Sequence, residues 1–349
     1  MLIFFILLVA IMAYRCKIRA VGFDCDYLSV SNTTSVKGIF AVLVMFSHIK
    51  GYLDFGKGFL DTSYVQITGF LGQTIVALFF FYSGYGIMEG VKKKPKYFNT
   101  FIEGRLVKTL FHFDLAVMLY YLMCVLVIDY PVPFTRLVGA LIGIASIHNS
   151  NWFVFCTLIL YVFVFFMFRL FKNRHVLAIL GVVALCFAYI FIAKGELSYW
   201  WYDTVLCMPL GLIYSRFKNK IEPVVQKNNL VYFLITAAFC ALFVLVSIWF
   251  NQRFNLALAI LKVIFFVIGW VLISMKVTFN NKILNWLGTH SFSIYIIQRI
   301  PMTLLKELFD FEWNRYAYTA LAFALTFVLS YLFSCLLNLF DRVFFPKKA

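Results

Sequence analysis

Apolar runs of close to 20 residues recur along this chain, too many for a soluble core to bury. WFVFCTLILYVFVFFMF at 152–168 and VLAILGVVALCFAYIFIA at 176–193 are two of them. Hydrocarbon offers the backbone no hydrogen-bond partner, so such runs must be helices packed on one another. The expected fold is therefore all-α: a polytopic transmembrane bundle of ten or eleven spans in a membrane-lipid setting, with residues 1–349 forming one integral membrane domain. Composition agrees, because 13% of the residues are charged and 63% apolar, whereas about a quarter of an ordinary soluble domain is charged.

The apolar segment 1–14 is followed, not preceded, by Arg15, Lys17 and Arg19. That order is the reverse of a cleavable signal and reads as a short first span with its N-terminus outside. Ten further spans are expected near 36–52, 65–88, 109–128, 151–171, 176–193, 200–216, 229–250, 255–274, 286–303 and 316–340. Threaded alternately, they leave just over two thirds of the 31 Lys and Arg on the cytoplasmic side, the positive-inside pattern, with the C-terminus cytoplasmic. The net charge of +16 is thus a matter of topology. No continuous basic face calls for nucleic acid. The weak stretch 134–150, with Gly139 and Gly143, reads as a re-entrant or interfacial helix. The eight Cys form no CxxC pair and read as small buried hydrophobes, which supports neither a metal site nor a disulfide framework.

Ionisable groups inside such spans are costly, about 2.5–3.5 kcal/mol each on insertion scales, and are candidates for function. His48 follows Lys37 by eleven residues. At about 100° per residue those steps nearly close three turns, so the two share one face about 16.5 Å apart along the axis. A cation at the inner boundary and a titratable ring near mid-membrane suit an anionic donor held by Lys37 and a general base at His48. A polar pair bridging to neighbouring helices fits the same spacing. Arg105 and Lys108, three apart, share a face on a helix and could grip phosphate. The run Lys92, Lys93, Lys94 and Lys96 reads first as an inner-surface anchor. His112 and Asp114 are two apart and diverge. His148, Asn149, Asn151 and Trp152 stand at an outer boundary, where they could line an extracellular mouth or form an interfacial belt, and Asp203 stands near the outer end of its span. His290, Gln298 and Arg299 read as interhelical hydrogen-bonding groups. No Walker A, GxSxG, HExxH or dinucleotide fingerprint occurs.

Over about residues 27–340 the chain resembles the membrane acyltransferase-3 family of bacterial cell-surface acyltransferases, leaving 1–26 as an extra span and cytoplasmic link. DYLSVSNTTSVKGIFAVLVMFSHI is similar to the family's first helix, in which a basic residue, usually Arg and here Lys37, precedes a His, here His48. FFFYSGYGIMEG, FIEGRLVKTL, NWFVFCTLILYVF, MPLGLIYSRFKNKIE and LGTHSFSIYIIQRI resemble further family segments in the expected order, with Gln298 where His is common. The resemblance implies transfer of an acyl group, usually acetyl, from cytoplasmic acyl-CoA to a hydroxyl of an extracytoplasmic glycan, with no bound cofactor, in the bacterial plasma membrane. It implies His48 as the catalytic residue and Lys37, Arg105 and Lys108 as donor contacts. His148, Asn151, Trp152 and Asp203 would support the acceptor side. A homo-oligomer or glycan-assembly partners are compatible with this reading, and a hydrolase-like partner domain is expected only as a separate protein. The competing reading is an exporter of a glycan or acyl precursor that performs no chemistry.

A phosphatase that is active only outside the cell tests the threading. Fused after Lys227 it is expected to be silent, and after Arg253 active. The reverse pattern overturns the N-outside assignment.

Overall fold

The computed structural model describes residues 1–309 and 314–346, so Lys347 and Lys348, two of the cations expected on the cytoplasmic side, lie outside the described residues. The order begins with α1 (Leu2–Ala13), β1 (Cys16–Ile18), α2 (Val30–Ile49), α3 (Phe59–Leu71), α4 (Thr74–Lys93) and α5 (Lys108–Leu126). It continues through α6 (Phe134–Leu141), α7 (Trp152–Phe171), α8 (His175–Glu196), α9 (Cys207–Val225), α10 (Asn229–Gln252) and α11 (Leu256–Ser274). After β2 (Val277–Phe279) come α12 (Lys282–Thr289), α13 (Ser291–Ile297), α14 (Arg299–Leu308) and α15 (Arg315–Phe344). Eight stretches among the described residues are long and apolar enough to cross a membrane.

Eight of the eleven expected spans coincide with these stretches, and the other three, 1–14, 200–216 and 286–303, are short or broken helices for local reasons. At 12 residues, α1 reaches only about 18 Å at 1.5 Å per residue. The expected span 200–216 starts later, at Cys207, and its continuation carries Arg216, Lys218, Lys220 and Glu222. The span 286–303 is three short helices. Pro301 has no N–H to offer the Ile297 carbonyl, and α13 stops there. The span 65–88 lies within one of the eight, Phe59–Lys93, whose two helices meet at Gly72, where a φ of 50° is a left-handed value that glycine adopts without penalty. Within 134–150 only Phe134–Leu141 is helical, too short to cross.

Polar side chains start the helices. Ser29 accepts from the Asn32 amide at 3.3 Å, and Asn281 from the Leu284 amide at 2.9 Å, each satisfying an N–H that the first turn leaves open. Two crossings are backbone against backbone. A Cβ on Gly84 of α4 would overlap the Met208 carbonyl of α9, and one on Gly211 would overlap the Phe81 carbonyl. A Cβ on Gly38 of α2 would overlap the Leu284 carbonyl of α12, and one on Gly288 the Thr34 carbonyl. Lipid tails give apolar helices little reason to associate, so close van der Waals approach at small residues does that work. Around these crossings Phe40, Phe46, Phe80, Phe81 and Phe113 are fully buried.

One small sheet was not legible as strand. β1 pairs antiparallel with β2, with Lys17 opposite Thr278. Lys276, just before β2, donates to the carbonyls of Arg19 and Ala20 at 3.3 Å and of Gly22 at 2.9 Å, and to Asn229 Oδ1 at 3.0 Å. The rings of Phe23 and Tyr232 cover the ammonium at 4.6 and 5.4 Å. The segment after α1 is thereby tied to the end of α11.

Gly84→Val is expected to lower the thermal transition of the detergent-solubilised protein, because overpacking typically costs about 1–3 kcal/mol. Gly86→Ala, where a Cβ would meet nothing within 4 Å, is the control and is expected to be nearly neutral.

Candidate active site

A cavity of about 960 Å³ opens between α2, α4, the approach to α5, α7 and α9. Lys37, Lys93, Arg105 and Lys218 contribute to its wall, and its carboxylates are Asp26 and Glu89. Glu89 is already engaged, by Lys92 at 2.8 Å and by the Ser215 hydroxyl at 2.8 Å. The wall is therefore cationic on balance, and a low-dielectric cleft concentrates that field on an anion. The inner end is aromatic, made by Phe79, Phe80, Phe153 and Phe292.

Lys37 and Arg105 come together as the sequence predicts, but Lys108 does not join them. Arg105 is carried by a π-turn, Ile102–Val107. Bonding from i to i+5 winds each residue through a smaller angle than an α-helix does, so residues three apart no longer share a face. Arg105 turns to the cavity, its Cζ 6.0 Å from the Tyr161 ring, with the Tyr97 and Tyr161 hydroxyls beside it. Tyr161 is itself positioned by Ser83, hydroxyl to hydroxyl at 3.1 Å. Lys108 instead turns to α15, where its Nζ lies 2.6 Å from Asp341. His112 Nε2 meets the other oxygen of that carboxylate at 2.8 Å.

His48 sits one residue before the end of α2 and is not part of the cavity wall. Two aromatics in contact, Phe153 and Tyr295, connect the cavity wall to His48. Phe153 lines the cavity, and its ring packs edge-on against Tyr295 at 5.2 Å. The Tyr295 ring stands 6.4 Å from the His48 imidazole. Gln298 and the Arg299 guanidinium face the imidazole from the α13–α14 break. Gln298 donates to the Tyr295 carbonyl at 2.9 Å. His48 Nδ1, Gln298 Oε1, Arg299 Nε and the Tyr295 hydroxyl are buried polar atoms without a hydrogen-bond partner. Buried polar groups are nearly always paired, and three such atoms beside this imidazole's own open Nδ1 make the place a candidate ligand site. Just beyond α2 a second cavity, about 1040 Å³, is lined by Lys50, Tyr52, Asp54, Glu307 and Arg315 among others. The Arg299 guanidinium lies 5.9 Å from the Tyr52 ring.

The residues expected on the acceptor side do not gather at one place. His148 packs edge-on against Tyr130 at 4.9 Å. Burial and the Arg299 charge hold its imidazolium below the ordinary range, which places it on the Arg299 side. Asn151 is occupied in holding its own loop, donating to the carbonyls of Gly143 at 2.7 Å and Ala145 at 3.0 Å. Trp152 packs edge-on against Phe153 at 6.0 Å. Asp203 is elsewhere, near Lys262, and burial pushes its carboxyl well above the usual carboxylate range. Sequence reasoning had placed Arg299 among interhelical groups and passed over Tyr295 and Phe153. An intramembrane Arg is a signal that could have found the first, but nothing distinguishes two aromatics in a chain with 43 Phe and 20 Tyr.

The family model for an acyltransferase domain matches residues 34–335. The chain belongs to the acyltransferase-3 family. It is an acyltransferase and a multi-pass membrane protein, and the matched span runs from within α2 into α15. Comparison with curated proteins and with solved structures finds no match.

Proposed function

We propose that this acyltransferase moves an acetyl or similarly short acyl group from cytoplasmic acyl-CoA to a hydroxyl of an extracytoplasmic cell-surface glycan. The observation that carries the reading is the cavity with Lys37, Lys93, Arg105 and Lys218 in its wall and an aromatic inner end. Phosphates and a thioester arm need that order of surfaces: cations where the charge is, rings where the acyl group ends. Lys37 carries the charge but not the planar fork of an Arg, so Arg105 is the bidentate phosphate contact.

His48 is the catalytic residue of this reading. The acceptor oxygen attacks the thioester carbonyl carbon, the C–S bond breaks, an ester C–O bond forms, and CoA leaves as the thiol. His48 Nδ1, buried without a partner, takes the hydroxyl proton. In the covalent variant of the route the imidazole takes the acyl group first and passes it on, with the same bonds broken and made overall. Arg299, beside the imidazole, offers positive charge to the developing oxyanion. The second cavity, with Tyr52, Asp54 and Glu307 in its wall, suits a sugar: carboxylates for hydroxyls and tyrosines for ring faces. In this arrangement the glycan comes from the outside, and N-outside, C-inside threading puts the Lys93 end of the first cavity in the cytoplasm.

Three variants test the assignment in membranes supplied with isotope-labelled acetyl-CoA. His48→Ala, stably inserted, is expected to lose about 10²–10⁴-fold in transfer. Wild-type-level transfer removes His48 from its role. Arg105→Ala is expected to raise the donor KM by about tenfold or more, the weight of a lost charged hydrogen bond. Lys108→Ala is expected to leave the donor KM unchanged and to shift stability by about 1 kcal/mol, since the pair it forms with Asp341 is partly exposed on both sides. Equal KM effects at Arg105 and Lys108 contradict this division of labour.

A further inference from the structure

We infer that Phe153 decides which acyl groups cross from the Lys37/Arg105 cavity to His48. The inference rests on the proposed function and names the residue that sets donor specificity within it.

The Phe153 ring has two sides. On one it meets Phe80 at 4.7 Å and Phe79 at 6.0 Å, where the cavity ends. On the other it meets Tyr295 at 5.2 Å, and Tyr295 neighbours His48 at 6.4 Å. The cavity wall includes Phe153 and excludes both Tyr295 and His48. Phe153 therefore separates the space where a donor is held from the imidazole. Its backbone has little freedom to yield. It is the second residue of α7, and the preceding Asn151 is anchored to the carbonyls of Gly143 and Ala145. The movable part is the ring.

Transfer needs the thioester carbonyl within bonding distance of a hydroxyl held at His48, so the ring must turn aside by the width of the acyl group. A two-carbon group asks for a small displacement. Each added methylene asks for more, against Phe79 and Phe80 on the cavity side and Tyr295 on the other.

The test compares acetyl-, butyryl- and octanoyl-CoA, each labelled in the acyl group, in membranes from cells making the full chain, with label counted in the glycan fraction. The wild-type protein is expected to favour acetyl. Phe153→Ala is expected to raise the butyryl-to-acetyl ratio by about tenfold or more, the discrimination a hydrophobic pocket gives per methylene or two. Phe153→Leu, which keeps an apolar side chain on α7, is expected to shift the ratio the same way by less, and it carries the test if the alanine variant is lost from the membrane. A merely structural role would lower all three rates together and leave the ratio unmoved. An unchanged ratio in the inserted variants overturns the inference and leaves the proposed function standing, as does octanoyl transfer by the wild type at the acetyl rate. No transfer from any acyl-CoA overturns both.

Discussion

A charged side chain persists inside a bundle this apolar only where water, an opposite charge, a carbonyl or an aromatic face meets it. That constraint organises the molecule. Lys276 is met by three carbonyls, an amide oxygen and aromatic rings. Lys108 is met by Asp341, and Arg315 by Asp61 at 2.5 Å. Lys37 and Arg105 are met by a cavity instead. With Lys93 and Lys218 they line one open space, Arg105 braced by the Tyr97 and Tyr161 hydroxyls, which is why that space reads as a binding site and the other places as joints.

The bundle holds its cavity open because the helices around it are fixed elsewhere. α4 and α9 touch backbone to backbone at Gly84 and Gly211, and α2 and α12 do so at Gly38 and Gly288. Contacts of that kind cannot slide, since any shift drives a carbonyl into a Cα. The cavity lies beside the first crossing, and His48 lies on the helix that makes the second. Donor wall and imidazole are thus set against each other by two rigid joints, with a pair of rings as the adjustable element between them.

The apolar runs made the helical bundle legible, and the positions of α7, α8, α10 and α11 follow them closely. The apolar run 36–52 put Lys37 and His48 on one continuous helix, as α2 has them. The failures have separate causes. A single π-turn undid the shared face of Arg105 and Lys108, and hydrogen-bond register inside a helix leaves no mark in the pattern of residue types. The break between α13 and α14 within 286–303 depended on Pro301, a visible signal that an apolar run outweighed. β1 and β2 are three residues each, shorter than any alternation that could announce them. The aromatic layer at Phe153 and Tyr295 was invisible because shared stripes describe one helix, whereas what stands between two groups belongs to its neighbours.

The Lys276 clamp carries a consequence for the chain ahead of the family-matched region. Three of its four hydrogen-bond acceptors are main-chain carbonyls, and a carbonyl is supplied by any amino acid. The path of residues 19–22 is therefore held through its main chain by one ammonium, and apart from Gly22, whose φ of 75° favours glycine, the clamp itself reads no side chain along that path. A short leading segment can in this way be welded to a bundle while its own lettering stays almost unconstrained.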